Sequence, residues 1–171
     1  SSKLQAFLKS LGVRARVIES AYPRVHPKRL VDLGYLDGAA WQYGDPRFLR
    51  VFEQLCIESE PELIWCHFSF CWPAALRARR HGIPTVIRSL NYEPSQYLQE
   101  HRGNNGPWKW LRYGGKLIGE HRALQASSVF AAVTPKEELI YRGISRNTNV
   151  RLLPLLALQK FVSEPCPVEM T

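Results

Sequence analysis

Two hydrophobic periods alternate along the chain. Leu4, Phe7, Leu8 and Leu11 recur at helical spacing, and Gly12 follows as a helix stop. The stretch "VRARVIE" then alternates apolar and charged residues, which predicts a strand over 13–19. Residues 20–44 mix prolines and aromatics without a period and read as a long surface loop. Asp45 followed by Pro46 is an N-cap with proline at the first helical position. Phe48, Leu49, Phe52, Leu55 and Cys56 continue it as an apolar stripe to about Glu60. "ELIWCHF" predicts a strand, Pro73 starts a helix that ends at Gly82, and "PTVIR" is a short strand of the kind buried on both faces.

The rest keeps the same rhythm. "PSQYLQEH" and "PWKWLRYGGKLIGEHRALQAS" predict helices on either side of the Gly103–Gly106 break, and "SVFAAV" predicts a strand. Thr134, Pro135 and Glu137 form a capping-box helix start, "NVRLLPL" gives a last strand, and "SEPCPVEMT" reads as linker. Helices alternating with strands of about five residues predict an α/β fold: a doubly wound, Rossmann-like parallel sheet with helices on both faces. The chain opens on a helix whose partner strand is missing, so the expectation is a fragment lacking its first strand. One domain over 1–155 and a linker over 156–171 complete that organisation.

Composition changes the picture only modestly. A chain of 171 residues with 45% hydrophobic content can bury one sizeable core. The net charge of +8 favours an anionic partner such as nucleic acid, a phosphorylated metabolite or an acidic membrane face. Residues 61–122 carry nine Lys and Arg against four Asp and Glu, so the middle of the chain supplies any anion-facing side. No run approaches the ~20 apolar residues of a membrane span, and the N-terminus lacks a signal-peptide layout.

Cys56, Cys66, Cys71 and Cys166 read as free thiols in a reducing compartment, mostly within apolar runs. "WCHFSFC" brings Cys66, His67 and Cys71 close enough for a metal site to be the alternative, although no second ligand pair follows at zinc spacing. Cys66 and His67 point to opposite faces of a strand and cannot share a proton as a nucleophile pair.

In open α/β sheets ligands bind beyond the carboxyl ends of the strands. That rule selects His67, Ser69 and Phe70 after one strand, Arg88, Asn91, Tyr92 and Glu93 after the next, and Thr134 after the third. Each has a plainer reading. His67 is either a base or donor to a substrate hydroxyl or a satisfied structural histidine; Arg88 and Glu93 either meet substrate or pair with each other. Thr134 either holds an anion or merely caps its helix, and "RARR" is either a phosphate site or a solvated helix end. Asn91 and Glu93 alternate on what reads as an extended stretch, and an amide beside a carboxylate suits a polyhydroxyl ligand.

The series "PELIWCHFSFCWPAALRARRHGIPTVIRSLNYEP", "GEHRALQASSVFAAVTPKEELIYRG" and "NVRLLPL" resembles the N-terminal, acceptor-side domain of glycosyltransferase family 4, a group of GT-B enzymes. The likeness runs from about Leu4 to Pro154 and rests on order and spacing: a strand ending in His, "G-x-P-x-V" leading to a polar signature, a helix with Glu120, then "TP" and "LP" after the last two strands.

The resemblance implies a two-domain, metal-independent enzyme of hexosyltransferase type. It would move a sugar from a nucleotide-sugar donor to a hydroxyl acceptor in glycan or cell-surface polysaccharide synthesis. The donor would be bound mainly by a C-terminal domain, so the fragment is expected to be inactive alone and to need no cofactor. The expected setting is cytoplasmic, with a glycan or lipid-linked acceptor, a peripheral contact at the inner membrane face allowed, and no nucleic acid. Two departures stand out. Leu90 occupies a position where many members carry a histidine near the transferred sugar, and the Gly-rich turn after the first strand is absent. The alternative function is a non-catalytic α/β module that binds nucleic acid or another anion, with "PWKWLRYGGK" as a stacking platform; its aromatics are expected to face a core instead.

Overall fold

The computed structural model describes residues 32–103, 106–145 and 149–154. The helix and strand expected over 4–19, and the expected linker, lie outside them.

Four parallel strands form one sheet in the order β1 (Ile64–His67), β2 (Thr85–Arg88), β3 (Val129–Ala132), β4 (Asn149–Leu152). Six helices accompany them among the described residues: α1 (Gly38–Tyr43), α2 (Pro46–Ser59), α3 (Trp72–Arg80), α4 (Glu93–Glu100), α5 (Pro107–Ala126) and α6 (Pro135–Ile144). Short 3-10 turns occupy Leu33–Leu36 and Ser69–Cys71. The fold is therefore α/β and Rossmann-like, and the predicted elements from Asp45 onward are all present.

The strand register explains where the core sits. Cys66 lies opposite Ile87, Ile87 opposite Phe130 and Phe130 opposite Val150, so one row crosses all four strands. Every member of that row is buried and joins a cluster with Trp72 and Ala75 of α3, Ala123 and Leu124 of α5, and Tyr141 of α6. Fully burying a side chain such as Ile87 or Phe130 contributes roughly 1.5–3 kcal/mol. The alternate positions Trp65, His67, Val86 and Arg88 belong to the other face and are exposed or half-buried. "PTVIR" thus alternates in burial, with Thr85 and Ile87 inside, and is not the strand covered on both faces that its apolar look suggested.

The segment expected to be loop up to Gly44 is partly helical. Asp32 caps the 3-10 turn by accepting from the Gly34 amide at 3.0 Å, and Asp37 caps α1 by accepting from Ala39 at 3.2 Å. Both elements are too short for a hydrophobic period to show, which is why the sequence pattern missed them. The turn packs on α5 through Gly115: a Cβ there would stand 2.9 Å from Leu36 Cβ and 3.0 Å from the Leu33 carbonyl oxygen. The neighbouring Gly114 meets nothing within 4 Å, so only one of the glycine pair is needed for close approach.

Candidate functional site

The C-terminal ends of β1 and β2 lead into two turns of different character. After β1, Phe68 adopts φ 79°, ψ 142°, a conformation rarely held by a residue with a side chain and costing of order 1–3 kcal/mol. Its amide is fixed by donation to the Arg88 carbonyl at 2.8 Å. Ser69 then starts the 3-10 turn, and its hydroxyl donates to Glu120 Oε1 at 2.8 Å. After β2, the chain bends through Ser89 to Tyr92 before α4 begins at Glu93, so Asn91 and Glu93 do not share the extended stretch expected of them. The Ser89 hydroxyl donates to the Asn91 carbonyl at 2.7 Å and also meets the Tyr141 hydroxyl at 2.8 Å.

Glu120, on α5, is the centre of this arrangement. It is only 2% exposed, and its Oε1 accepts from Ser69 and, at 3.4 Å, from the Glu93 amide. Its Oε2 makes no hydrogen bond of good geometry among the described residues, although the Tyr141 hydroxyl lies near enough to the carboxyl to oppose a rise in its pKa. Burial pushes the carboxyl up to about 8; the Ser69 hydrogen bond opposes the rise and the Glu93 charge adds to it. A proton on Oε2 leaves Oε1 free to accept, so at neutral pH Glu120 holds both turns as a largely neutral carboxylic acid.

Glu93 pairs with Lys116 of α5 at 3.0 Å, and the same ammonium reaches Asp37 at 3.4 Å. Of the two readings of Arg88 and Glu93, the mutual pair does not form: Lys116 lies one turn before Glu120 on the same helix and meets Glu93 at the start of α4. Burial works against the Lys116 charge, but the carboxylates of Asp37 and Glu93 outweigh it and hold the pKa above the ordinary value. Tyr92 is pushed up to about 12 by burial and by the charge of Glu120.

The selected residues divide into groups. Ser69, Tyr92 and Glu93 converge on Glu120 and Lys116. His67 and Arg88 are register partners at the strand ends, on the sheet face opposite Ile87. The His67 ring is exposed, lies 6.0 Å from Trp65 and makes no hydrogen bond among the described residues, so it is not a satisfied core histidine. The Nε of Arg88 is buried without a hydrogen-bond partner among the described residues. Phe70 stacks on Phe68 at 4.7 Å and leans on Tyr43 at 5.2 Å, which makes it a packing residue. Thr134 forms the complete capping box with Glu137. Glu137 does more than cap: its other oxygen accepts from the Tyr92 amide at 3.1 Å and ties α6 to the turn after β2.

Cys56, Cys66 and Cys71 are free and buried, and burial raises the Cys66 and Cys71 thiols to about 11 and about 12. Among the described residues no group of three or more His, Cys, Asp or Glu could hold a metal ion. Nor is any helix among them long and apolar enough to cross a membrane. Trp108 and Trp110 at the start of α5 are 72% and 55% exposed, which overturns the expectation that these aromatics face a core. That helix buries Lys109 of its first turn, leaves Pro107, Trp108 and Trp110 exposed, and packs through Gly115, Gly119, Glu120, Ala123 and Leu124 further along.

A family model described as a glycosyl transferase 4-like domain matches residues 3–155. No curated protein and no solved structure matches the chain. The order of strands, the turns held at their carboxyl ends and a match across most of the length agree: this chain belongs to the glycosyl transferase 4-like family.

Proposed function

We propose that this domain is the acceptor-binding part of a GT-B enzyme of hexosyltransferase type, which moves a sugar from a nucleotide-sugar donor to a hydroxyl of a glycan or lipid-linked acceptor in polysaccharide synthesis. The observation that carries the reading is the turn after β2. Its backbone is held from two helices, by Glu120 at the Glu93 amide and by Glu137 at the Tyr92 amide, while the Asn91 side chain makes no hydrogen bond among the described residues. A rigid turn that presents an uncommitted amide suits a hydroxyl ligand, which needs both a donor and an acceptor. His67 and Arg88, side by side at the strand ends, extend the candidate acceptor contacts. Leu90, 37% exposed on the same turn, can offer no hydrogen bond, so the family's histidine role falls to a neighbour or is dispensed with.

In this reading the domain works in the cytoplasm, with the donor held by a second domain, and it is inactive without that domain. Asn91→Ala in the intact enzyme should lower sugar transfer to acceptor while sparing donor hydrolysis and thermal stability. Equal losses in all three would overturn the assignment. The exposed Trp108 and Trp110 beside Arg112 favour a peripheral contact with the inner membrane face, because indole rings settle at the headgroup level of bilayers and cations are drawn to anionic lipid.

A further inference from the structure

A second place in the fold gathers positive charge and leaves part of it unpaired. Where α2, α3 and α5 converge with the turn at Leu33–Leu36, a pocket of about 380 Å³ is lined by Arg77, Arg80, Arg122, Trp72, Tyr35 and Asp32, among others. α3 leaves the carboxyl end of β1 and returns towards the start of β2, so Arg77 and Arg80 lie away from the turn that carries Asn91.

The arginines differ in how they are occupied. Arg79, outside the pocket, donates to the Gln125 carbonyl and so serves the helix end. Arg77 is paired with Glu53 at 2.8 Å. Arg80 is exposed and makes no hydrogen bond or ion pair among the described residues. Arg122 lies with its guanidinium 4.7 Å from the Trp72 ring, and its Nη1 touches Asp32 Oδ1 at 2.5 Å without hydrogen-bond geometry. That Nη1 is therefore held by the Asp32 carboxylate, and the indole N–H of Trp72, a residue only 3% exposed, is buried near Gly119 without a hydrogen-bond acceptor among the described residues. The guanidinium is seated against Gly34, where a Cβ would stand 2.6 Å from Nη1 and 3.3 Å from Trp72 Cζ2.

Three guanidinium groups against the carboxylates of Asp32 and Glu53, beside an aromatic floor, leave one positive charge in excess, carried by the unpaired Arg80, for an anion with several acceptor oxygens. We infer that this pocket binds a phosphate monoester or diphosphate group through Arg80, Arg77 and Arg122. Phosphate matches the fork of guanidinium donors in a way a solvated helix end does not require. The volume falls at the small end of ligand pockets, enough for a phosphorylated head and little more. The site stands independently of the sugar-transfer reading.

The group has two sources, a soluble phosphate compound or a lipid headgroup, and one experiment separates them. The full chain is titrated with inorganic pyrophosphate by calorimetry at low ionic strength, and sedimented with vesicles of phosphatidylcholine with and without phosphatidic acid. Pyrophosphate should bind; Arg80→Gln should weaken binding about tenfold, Arg80→Glu should abolish it, and Arg102→Gln, which removes an equal charge elsewhere, should leave it unchanged. Raising salt should weaken it further. Cosedimentation with phosphatidic acid that pyrophosphate displaces and Arg80→Glu removes would assign the lipid source; pyrophosphate binding without it would assign a soluble ligand. Because Arg80 is exposed, unchanged melting of its variants is expected and is checked in parallel. The inference is overturned if the wild-type chain binds neither probe, or if Arg102→Gln loses as much as Arg80→Gln.

Discussion

Replacing Glu120 with glutamine tests whether a buried acid is kept neutral at the junction of the two turns. In the folded chain the carboxyl titrates near 8, against an ordinary value of 4.5. The folded state therefore keeps a proton that the unfolded state releases. Its stabilising effect is complete below about 4.5 and is lost as pH rises through 8. Each unit between the two values is worth about 1.4 kcal/mol, so the whole swing is roughly 3–5 kcal/mol. Glu120→Gln retains an oxygen for Ser69 and the Glu93 amide and cannot ionise. The variant's stability relative to wild type should then climb steadily from pH 5 to pH 8.5, a shift of roughly 1–3 M in the urea midpoint. Urea unfolding of both proteins across that range is the measurement, and groups common to both cancel in the difference. A fixed offset from the new amide would move the curve without tilting it. A flat difference, or wild type gaining on the variant as pH rises, would refute a neutral Glu120.

Other consequences are simpler to read. Gly115→Ala should cost about 1–3 kcal/mol by forcing the turn at Leu33–Leu36 away from α5, whereas Gly114→Ala, with open space at its Cβ, should stabilise by up to about 1 kcal/mol; thermal melts of the pair check both. Thr134→Ala should cost about 1 kcal/mol as a lost cap, and Glu137→Ala should cost more because the Tyr92 amide loses its acceptor as well. Cys66 and Cys71 should resist alkylation at pH 8 in the native protein and react on unfolding, as mass spectrometry of labelled protein would show.

Most of the fold was legible because its signals are local. The Asp45–Pro46 and Thr134–Pro135 starts lie where caps and prolines announce them, and the capping box from Thr134 to Glu137 is complete. The short helices before Gly44 were not legible, since six residues give too few turns for a period. The candidate site was legible only in outline. Strand ends pointed to His67, Ser69, Arg88, Asn91 and Glu93, but Lys116 and Tyr141 sit within helical patterns where nothing separates a site neighbour from a packing residue. In the sequence Glu120 stands out only as one element of a resemblance. A lone acid in an apolar helix stretch, "LIGEHRAL", was the available signal.

By itself the sequence determined the alternation of strand and helix, where most helices start, and the family, because periodicity, capping and motif order are properties of neighbours along the chain. Only the tertiary structure decided which charges meet. Arg88 and Glu93 are five residues apart and do not pair; Glu93 and Lys116 are twenty-three apart and do. The bend at Ser89 to Tyr92 turns Glu93 into α4 and towards α5, while Arg88 ends its strand beside His67 on the opposite face of the sheet. Burial followed the same rule. A carboxyl gains a proton at neutral pH when packing removes its water, and which carboxyl that would be depended on Ser69 and Glu93 arriving from two other segments of the chain.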